Sequence, residues 1–326
     1  MMPPFLSIVF SFRNEESVFP ELIRRVRAVM DDARGSGLIG GHEMIFVNDA
    51  STDRSVAILQ EQFLVADDIR IINMSRTFGV APCVMAGLAA AQGDAVVYMD
   101  CDLQDPPEVI PEMLRAWQNG EGVEVVHTHR RSRRGEPAFK MFITAIGYYI
   151  LNRYCSVAIP REAGDFKLLS RRVVDQLLKF PEHNPFMRGL VAWVGFKQVF
   201  IQYDREARAA GDSKFFVLSH KVISNFLNSA IVNFSAVPLQ VASYLGFAAI
   251  VVDLVLILHL ILKGVRLDTL SSSTMILISV LLFGGVQLLC LGMIGLYLNS
   301  VHEQSKMRPP YIIESTFGFK DPRHAQ

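Results

Sequence analysis

The stretch that most limits what this chain can be runs Val96-Val97-Tyr98-Met99-Asp100-Cys101-Asp102-Leu103-Gln104-Asp105-Pro106-Pro107. A short apolar run ends abruptly in two carboxylates spaced i, i+2, followed by a carboxamide, a third carboxylate and two prolines. A run bounded in this way reads as a buried strand, and the prolines bar its extension and stiffen the chain beyond it. The carboxylates then stand where a strand leaves its sheet, which is where open α/β sheets bind ligands. Oxygen donors clustered like this suit a hard divalent cation, Mg2+ or Mn2+. Mg2+ usually takes only one or two protein carboxylates and shares the rest of its shell with substrate phosphates.

The flanking sequence supplies the sheet. Leu6–Phe10, Glu43–Val47, Ile69–Asn73, Ala95–Met99 and Glu124–Thr128 read as strands. Between them, Val18–Met30, Ser55–Gln62 and Gly79–Ala91 read as helices. This βαβα alternation predicts an α/β domain with a mainly parallel sheet, helices on both faces and right-handed crossovers. Beyond it come a basic loop at 129–136 and an aromatic-rich helix over Phe139–Tyr154. Ala163–Leu169 reads as a Gly-Asp turn feeding an apolar run. Arg171–Lys179 reads as a helix and Val194–Tyr203 as a strand.

The C-terminal third differs. Of 326 residues, 51% are hydrophobic, enough for a soluble domain plus a bilayer-embedded segment. Leu239–Leu262 and Thr274–Leu298 each exceed the ~20 residues that span a hydrocarbon core. The short connector between them predicts a hairpin. Residues 215–235 are amphipathic and suit either a membrane interface or a surface helix. Loop charge bias places both ends in the cytoplasm. The expected organisation is a cytoplasmic catalytic domain over 1–214, a juxtamembrane region over 215–235, a transmembrane hairpin over 236–301 and a cytoplasmic tail over 302–326. Asp253 and Gln287 fall inside the spans, where polar groups face protein; they point to packing in the hairpin or in a homo-oligomer.

Several function classes drop out. The formal net charge is zero, so no global basic field suggests nucleic acid. The four cysteines form no CxxC pair, which argues against a zinc site or a disulfide framework. The N-terminal apolar run is short, lacks preceding basic residues and runs into Arg13-Asn14-Glu15-Glu16, unlike a signal peptide. Cys101 reads as packing.

Taken in order, six segments carry a resemblance. They are Ser7-Ile8-Val9 with Asn14-Glu15-Glu16, Val47-Asn48-Asp49-Ala50-Ser51-Thr52-Asp53, Ser75-Arg76-Thr77-Phe78-Gly79, Asp100 to Pro107, Gly164-Asp165-Phe166, and Arg188-Gly189-Leu190 with Trp193-Val194-Gly195. With the apolar hairpin behind them, the chain resembles the inverting family 2 polyprenyl-phosphate glycosyltransferases, the GtrB-like and dolichyl-phosphate mannose synthase-like enzymes. The resemblance implies a GT-A, Rossmann-like fold and transfer of a sugar from a nucleotide diphosphate donor to a membrane polyprenyl phosphate. It implies that Asp100, Asp102 and Gln104 form the metal and donor-phosphate site. Ser11, Glu15, Asp49 and Asp100 would hold the nucleotide sugar, and Asp165 would be the catalytic carboxylate together with Asp102. Arg130, Arg131, Arg205, Arg208, Ser213 and Lys214 suit phosphate and acceptor binding.

The chain departs from the family where Ser11 and Arg13 replace a common Pro and Tyr, and where Asn48 and Ala50 replace Asp and Gly. These changes bear on the donor. UDP-glucose or a related UDP-hexose is the expected donor and undecaprenyl phosphate the expected acceptor; GDP-mannose, a modified UDP-sugar, or a polysaccharide synthase activity are the alternatives. Asp165 is either a general base or an orienting group. Because the nucleotide residues lie in the first half, a chain ending near Ser235 is expected to retain donor binding.

Overall fold

The computed structural model describes residues 2–130, 163–180, 182, 185–204, 242, 244–249, 251–252, 255 and 272–319. The described strands form one sheet in the order β7-β5-β6-β4-β1-β2-β3-β8. Its centre is the expected parallel block: β1 (Phe5–Phe12), β2 (Gly41–Asn48), β3 (Ile69–Met74) and β4 (Ala95–Asp100). β5 (Val123–Arg130) and β7 (Lys197–Tyr203) pair parallel, while β6 (Ala163–Ser170) runs antiparallel to both β4 and β5.

Side chains alternate along β1, so each face receives its own helix. Leu6, Ile8, Phe10 and Phe12 turn to the core under α1 (Phe19–Gly35) and α4 (Ile110–Asn119). The contact is aromatic. Phe10 stacks on Phe46 at 4.8 Å, and Phe19 of α1 meets Phe12 edge-on at 4.9 Å and Phe46 at 5.4 Å. Val9 and Val47 turn the other way, beneath α3 (Val80–Ala90). That helix is made of small residues because it lies tight on the sheet. A Cβ on Gly87 would come within 2.3 Å of a Val9 methyl. Overfilling such a contact costs about 1–3 kcal/mol. α2 (Ser55–Phe63) completes the repeat.

Three features depart from the sequence reading. Gly164 and Asp165 do not form a turn; they lie inside β6, between the Ala163–His129 pairing with β5 and the stretch from Lys167 onward that pairs with both β4 and β5. The segment before β7 is helical, as α6 (Met187–Trp193), so the strand starts at Lys197. Within the expected tail, β8 (Ile313–Phe317) pairs antiparallel with β3 and closes that edge of the sheet. Phe317 packs edge-on against Phe63 at 4.9 Å. The helix after β6, α5 (Arg171–Leu177), is as expected and starts on a Ser170 cap whose hydroxyl accepts from Val173 N–H.

The chain divides into two units, residues 216–307 with 149–156 forming the second. Within it, α7 (Ser272–Ser305) is 34 residues long and carries exposed Leu288, Leu289, Leu291, Ile294 and Leu298. Among the described residues it is the one helix long and apolar enough to cross a membrane, by its Leu282–Ser305 segment. The described positions between 242 and 255 are helical and expose Tyr244, Phe247, Val251, Val252 and Val255. Gln287 lies exposed on α7. Most of the first expected span, with Asp253, lies outside the described residues, as do 215–235 and the helix expected at 139–154.

Candidate active site

The winding of the parallel block decides where the site lies. The chain lays down β1, β2 and β3 in one direction and then returns to place β4 on the other side of β1. Loops from the two sides part at this reversal, and the crevice opens beyond the carboxyl ends of β1 and β4. Register puts Ser11 directly beside Asp100 there, and Phe12 beside Asn48. The loops after β1, β2 and β4 therefore meet above the crevice, bringing Ser11, Glu15, Asp49, Asp100 and Asp102 to one end of the sheet.

Those loops are held under local strain. Asn14, Ala50 and Leu103 have φ of 56°, 54° and 59°. Left-handed backbone is costly for a residue with a Cβ and persists only where surroundings enforce it. Hydrogen bonds do so here. Asn14 N–H donates to Ser51 Oγ at 3.0 Å, and Thr52 N–H donates to Asn14 Oδ1 at 2.8 Å. Glu15 N–H donates to Ser55 Oγ at 2.9 Å, and Arg54 N–H to Glu16 Oε2 at 2.9 Å. Asn48 accepts from Ser51 N–H at 2.8 Å and donates to Asn73 at 3.0 Å; Asn73 in turn donates to Ser315 of β8 at 3.0 Å.

Asp49 is buried, and its two oxygens accept from Phe78 N–H at 2.6 Å and Gly79 N–H at 3.1 Å. It thereby fixes the start of α3, where Gly79 has a φ of 99° that disfavours any side chain. Each carboxylate oxygen keeps a second lone pair. The same carboxylate lies beside Cys83, whose thiol is pushed well up by burial and by that negative charge.

The acidic motif divides by burial. Asp100, Asp102 and Gln104 are half-buried at the crevice, and Asp102 Oδ1 accepts from Gln104 N–H at 3.1 Å. Asp105 is 1% exposed and accepts the Tyr203 hydroxyl of β7, so the third carboxylate anchors the loop. Cys101 is buried, its Sγ 3.6 Å from Ser11 O, as packing requires. Among the described residues no three of His, Cys, Asp or Glu converge as a metal cage. Two half-buried carboxylates instead match the partial protein shell that Mg2+ accepts when substrate phosphates supply the rest.

Asp165 enters from β6, and α6 brings Arg188 to it. Arg188 Nε donates to Oδ1 at 2.9 Å and Nη2 to Oδ2 at 2.5 Å, a bidentate pair about one-third exposed on each side. Two residues inward on the same faces lie Lys167 of β6 and Tyr98 of β4, paired in register. Asp100 and Asp165 are the next residues on this face of β4 and β6, so Asp100 and the Asp165–Arg188 pair border one crevice.

Arg130 ends β5. Arg131, Arg205, Arg208, Ser213 and Lys214 lie outside the described residues. Sequence reasoning assigned no role to Arg188, Lys167 or Tyr98. Arg188 was visible only as part of a motif, and a Lys in an apolar run carries no periodic signal.

This is an open α/β sheet, parallel at its centre, with acidic residues at its switch point. Residues 7–178 match glycosyl transferase family 2, and the chain belongs to that family and is a glycosyltransferase. It is 40% identical to "Uncharacterized glycosyltransferase YkcC" of Bacillus subtilis over 97% of this chain and 95% of that one. It is 33% identical to the bactoprenol glucosyl transferase of Shigella phage SfV, over 95% of this chain and 98% of that one. The prophage bactoprenol glucosyl transferase homolog of Escherichia coli is 32% identical over the same shares, 95% and 98%. Among solved structures, glucosyl-3-phosphoglycerate synthase from Mycobacterium tuberculosis aligns with a TM-score of 0.46 over 70% of this chain and 80% of that one, at 21% identity.

Proposed function

We propose that this glycosyltransferase moves a hexose, from UDP-glucose or a related UDP-hexose, to a polyprenyl phosphate, with inversion at the anomeric carbon. The observation that carries the reading is the juxtaposition at the switch point: Ser11 beside Asp100, with the Asp165–Arg188 pair on the neighbouring strand of the same crevice. The names of the bactoprenol glucosyl transferases, similar over nearly their whole length, support the lipid acceptor and the glucosyl group.

In this reading Asp49 and Glu15 hold the base and ribose, and Ser11 and Asp100 the donor's diphosphate end. Asp100, Asp102 and Gln104 would hold Mg2+ or Mn2+, which when bound neutralises the charge developing on the departing nucleoside diphosphate. An oxygen of the acceptor phosphate forms the new bond to the anomeric carbon as the bond to the diphosphate breaks. A phosphate monoester has its second pKa near ~6 and is mostly dianionic at neutral pH, so it needs little help as a nucleophile. Asp165 then orients Arg188, whose guanidinium fork suits a phosphate. Arg130, Arg131, Arg205, Arg208, Ser213 and Lys214 add the remaining acceptor contacts.

The second unit anchors the enzyme in the cytoplasmic membrane. The chain leaves the sheet after Tyr203 and rejoins it at Ile313, so any bilayer crossings between them are even in number. That supports the two-span hairpin over 236–301, with residues 1–214 and the end of the chain on the cytoplasmic side. The test is to incubate detergent-solubilised protein with a panel of labelled nucleotide sugars, undecaprenyl phosphate and Mg2+. A labelled lipid formed from a UDP-hexose is the expected outcome. Label transferred only to a growing polysaccharide, or to no lipid from any donor, overturns the reading.

A further inference from the structure

Beneath the crevice, the face that carries Asp100 and Asp165 continues inward as a row of polar side chains. Tyr98 is in register with Lys167, and Lys167 with His127. Residues so aligned project to the same face of a sheet. All three are buried, Lys167 and His127 completely. The Lys167 ammonium donates to the Tyr98 hydroxyl at 3.2 Å and lies 5.5 Å from the centre of its ring.

His127 gives Lys167 no charge compensation. Its Nε2 meets Gln198 Oε1 at 2.7 Å and its ring stacks on Phe200 at 4.9 Å. Burial, and then the Lys167 charge, push its pKa down to about 4, so it is neutral. Burial also pushes Lys167 down, to about 8; Asp165 works against that and Arg188 with it. The Tyr98 hydroxyl lies in the field of Asp165, Arg188 and Asp100 together.

Stability does not account for this lysine. A buried ammonium pays a large desolvation cost, and an apolar side chain of similar length in its place is often neutral or stabilising. Its location relative to the crevice does account for it. In the proposed reaction Asp100, Asp102, Asp165, a diphosphate and an acceptor phosphate all converge on one site. A fixed cation beneath them, in a low-dielectric interior, opposes their mutual repulsion without moving during the reaction.

We propose that Lys167, acting through Tyr98, is a positioning residue for sugar transfer, its buried charge holding Asp165 and Asp100 in the geometry that accepts donor and acceptor phosphates together. This rests on the reading that those two carboxylates work in the crevice. The Tyr98 oxygen accepts from the ammonium and lies in the field of both carboxylates, so it links the buried charge to them.

The test compares full-length wild type with Lys167→Met, Lys167→Arg, Tyr98→Phe and the Lys167→Met/Tyr98→Phe double variant. Each is assayed for thermal midpoint, kcat, and KM for donor and acceptor. Lys167→Met should keep or raise the thermal midpoint, yet lose about tenfold or more in kcat while donor KM changes less than about twofold. Lys167→Arg should recover part of that loss. Tyr98→Phe should lose less than Lys167→Met, and the double variant should be no worse than Lys167→Met alone, because the two act as one unit. Wild-type kcat in Lys167→Met, or losses that multiply in the double variant, overturns the proposal. Should Lys167→Met fail to fold, Tyr98→Phe decides: normal stability with full kcat overturns it. Asp100→Asn and Asp165→Asn are run alongside. Full activity in those two refutes the reading of the crevice itself, an outcome separate from any result at Lys167.

Discussion

Arg188 holds Asp165 by both carboxylate oxygens, Nε to Oδ1 at 2.9 Å and Nη2 to Oδ2 at 2.5 Å. A carboxylate engaged by both oxygens holds the guanidinium in one orientation. The general-base and orienting roles expected of Asp165 then differ in their pH dependence. Asp165→Asn should lose most activity, and the loss should be nearly independent of pH above ~7, where the acceptor phosphate is already ionised. Arg188→Lys, which keeps the charge but not the fork, should lose activity as well. The pH–rate profiles of wild type and both variants check this. Recovery of Asp165→Asn at high pH would identify a general base instead.

The half-buried Asp100 and Asp102 make a metal requirement testable at two levels. Asp102→Asn should cut turnover by about two orders of magnitude, as when electrostatic stabilisation of a transition state is removed. Chelator should abolish wild-type transfer and Mg2+ or Mn2+ should restore it. Full activity in excess chelator would remove the metal from the mechanism.

β8 changes what a truncation does. A chain ending near Ser235 keeps every residue proposed for the nucleotide, but it loses the strand that covers the edge of β3. Asn73 loses Ser315, Ser75 N–H loses the Ile312 carbonyl at 3.0 Å, and Phe63 loses Phe317. An uncovered edge strand invites pairing with another chain. The expected outcome is a fragment that aggregates and binds donor more weakly than full-length protein. Rejoining residues 308–319 to it through a flexible linker should restore both properties. Light scattering and donor titration measure them; a monodisperse fragment with unchanged donor affinity would show that β8 is dispensable.

At the amino end of β3, Asp68 offers a pH-dependent stability term. Burial alone would raise its pKa, but the Arg27 fork at 2.8 and 2.9 Å, with His42 beside it at 3.7 Å, lowers it from 3.8 to about 2. A lowered carboxylate pKa stabilises the fold above the unfolded-state value and is lost as pH falls through the folded-state value. The contribution is therefore full above pH ~4, fades toward pH ~2, and is of order 2 kcal/mol. Arg27→Met should destabilise the protein at pH 7. The gap from wild type should narrow as pH falls from ~4 to ~2, as thermal melts at a series of pH values would record.

The parallel strands, their order of appearance and the acidic crevice were legible in the sequence because each is written locally. Alternation of apolar runs with helical periodicity marks β1 to β4, and a strand that ends in Asp100 and Asp102 marks the carboxyl end where the ligand must go. What the sequence alone could not determine depends on partners far along the chain. Gly164-Asp165 looks like a turn until it is drawn into β6, which pairs with β5 at Ala163 and with both β4 and β5 from Lys167 on. Ile313–Phe317 is too short to announce itself as a strand, and its partner β3 lies more than two hundred residues earlier. Asp105 cannot be told from Asp100 and Asp102 by type or spacing; only Tyr203, arriving from β7, takes it out of the crevice. Lys167 reads as an interruption of an apolar run, and acquires a meaning only when the register of β4 and β6 sets it against Tyr98, two residues beneath the acidic groups. Local pattern specifies which elements form, whereas the pairing of distant strands decides which side chains share a site.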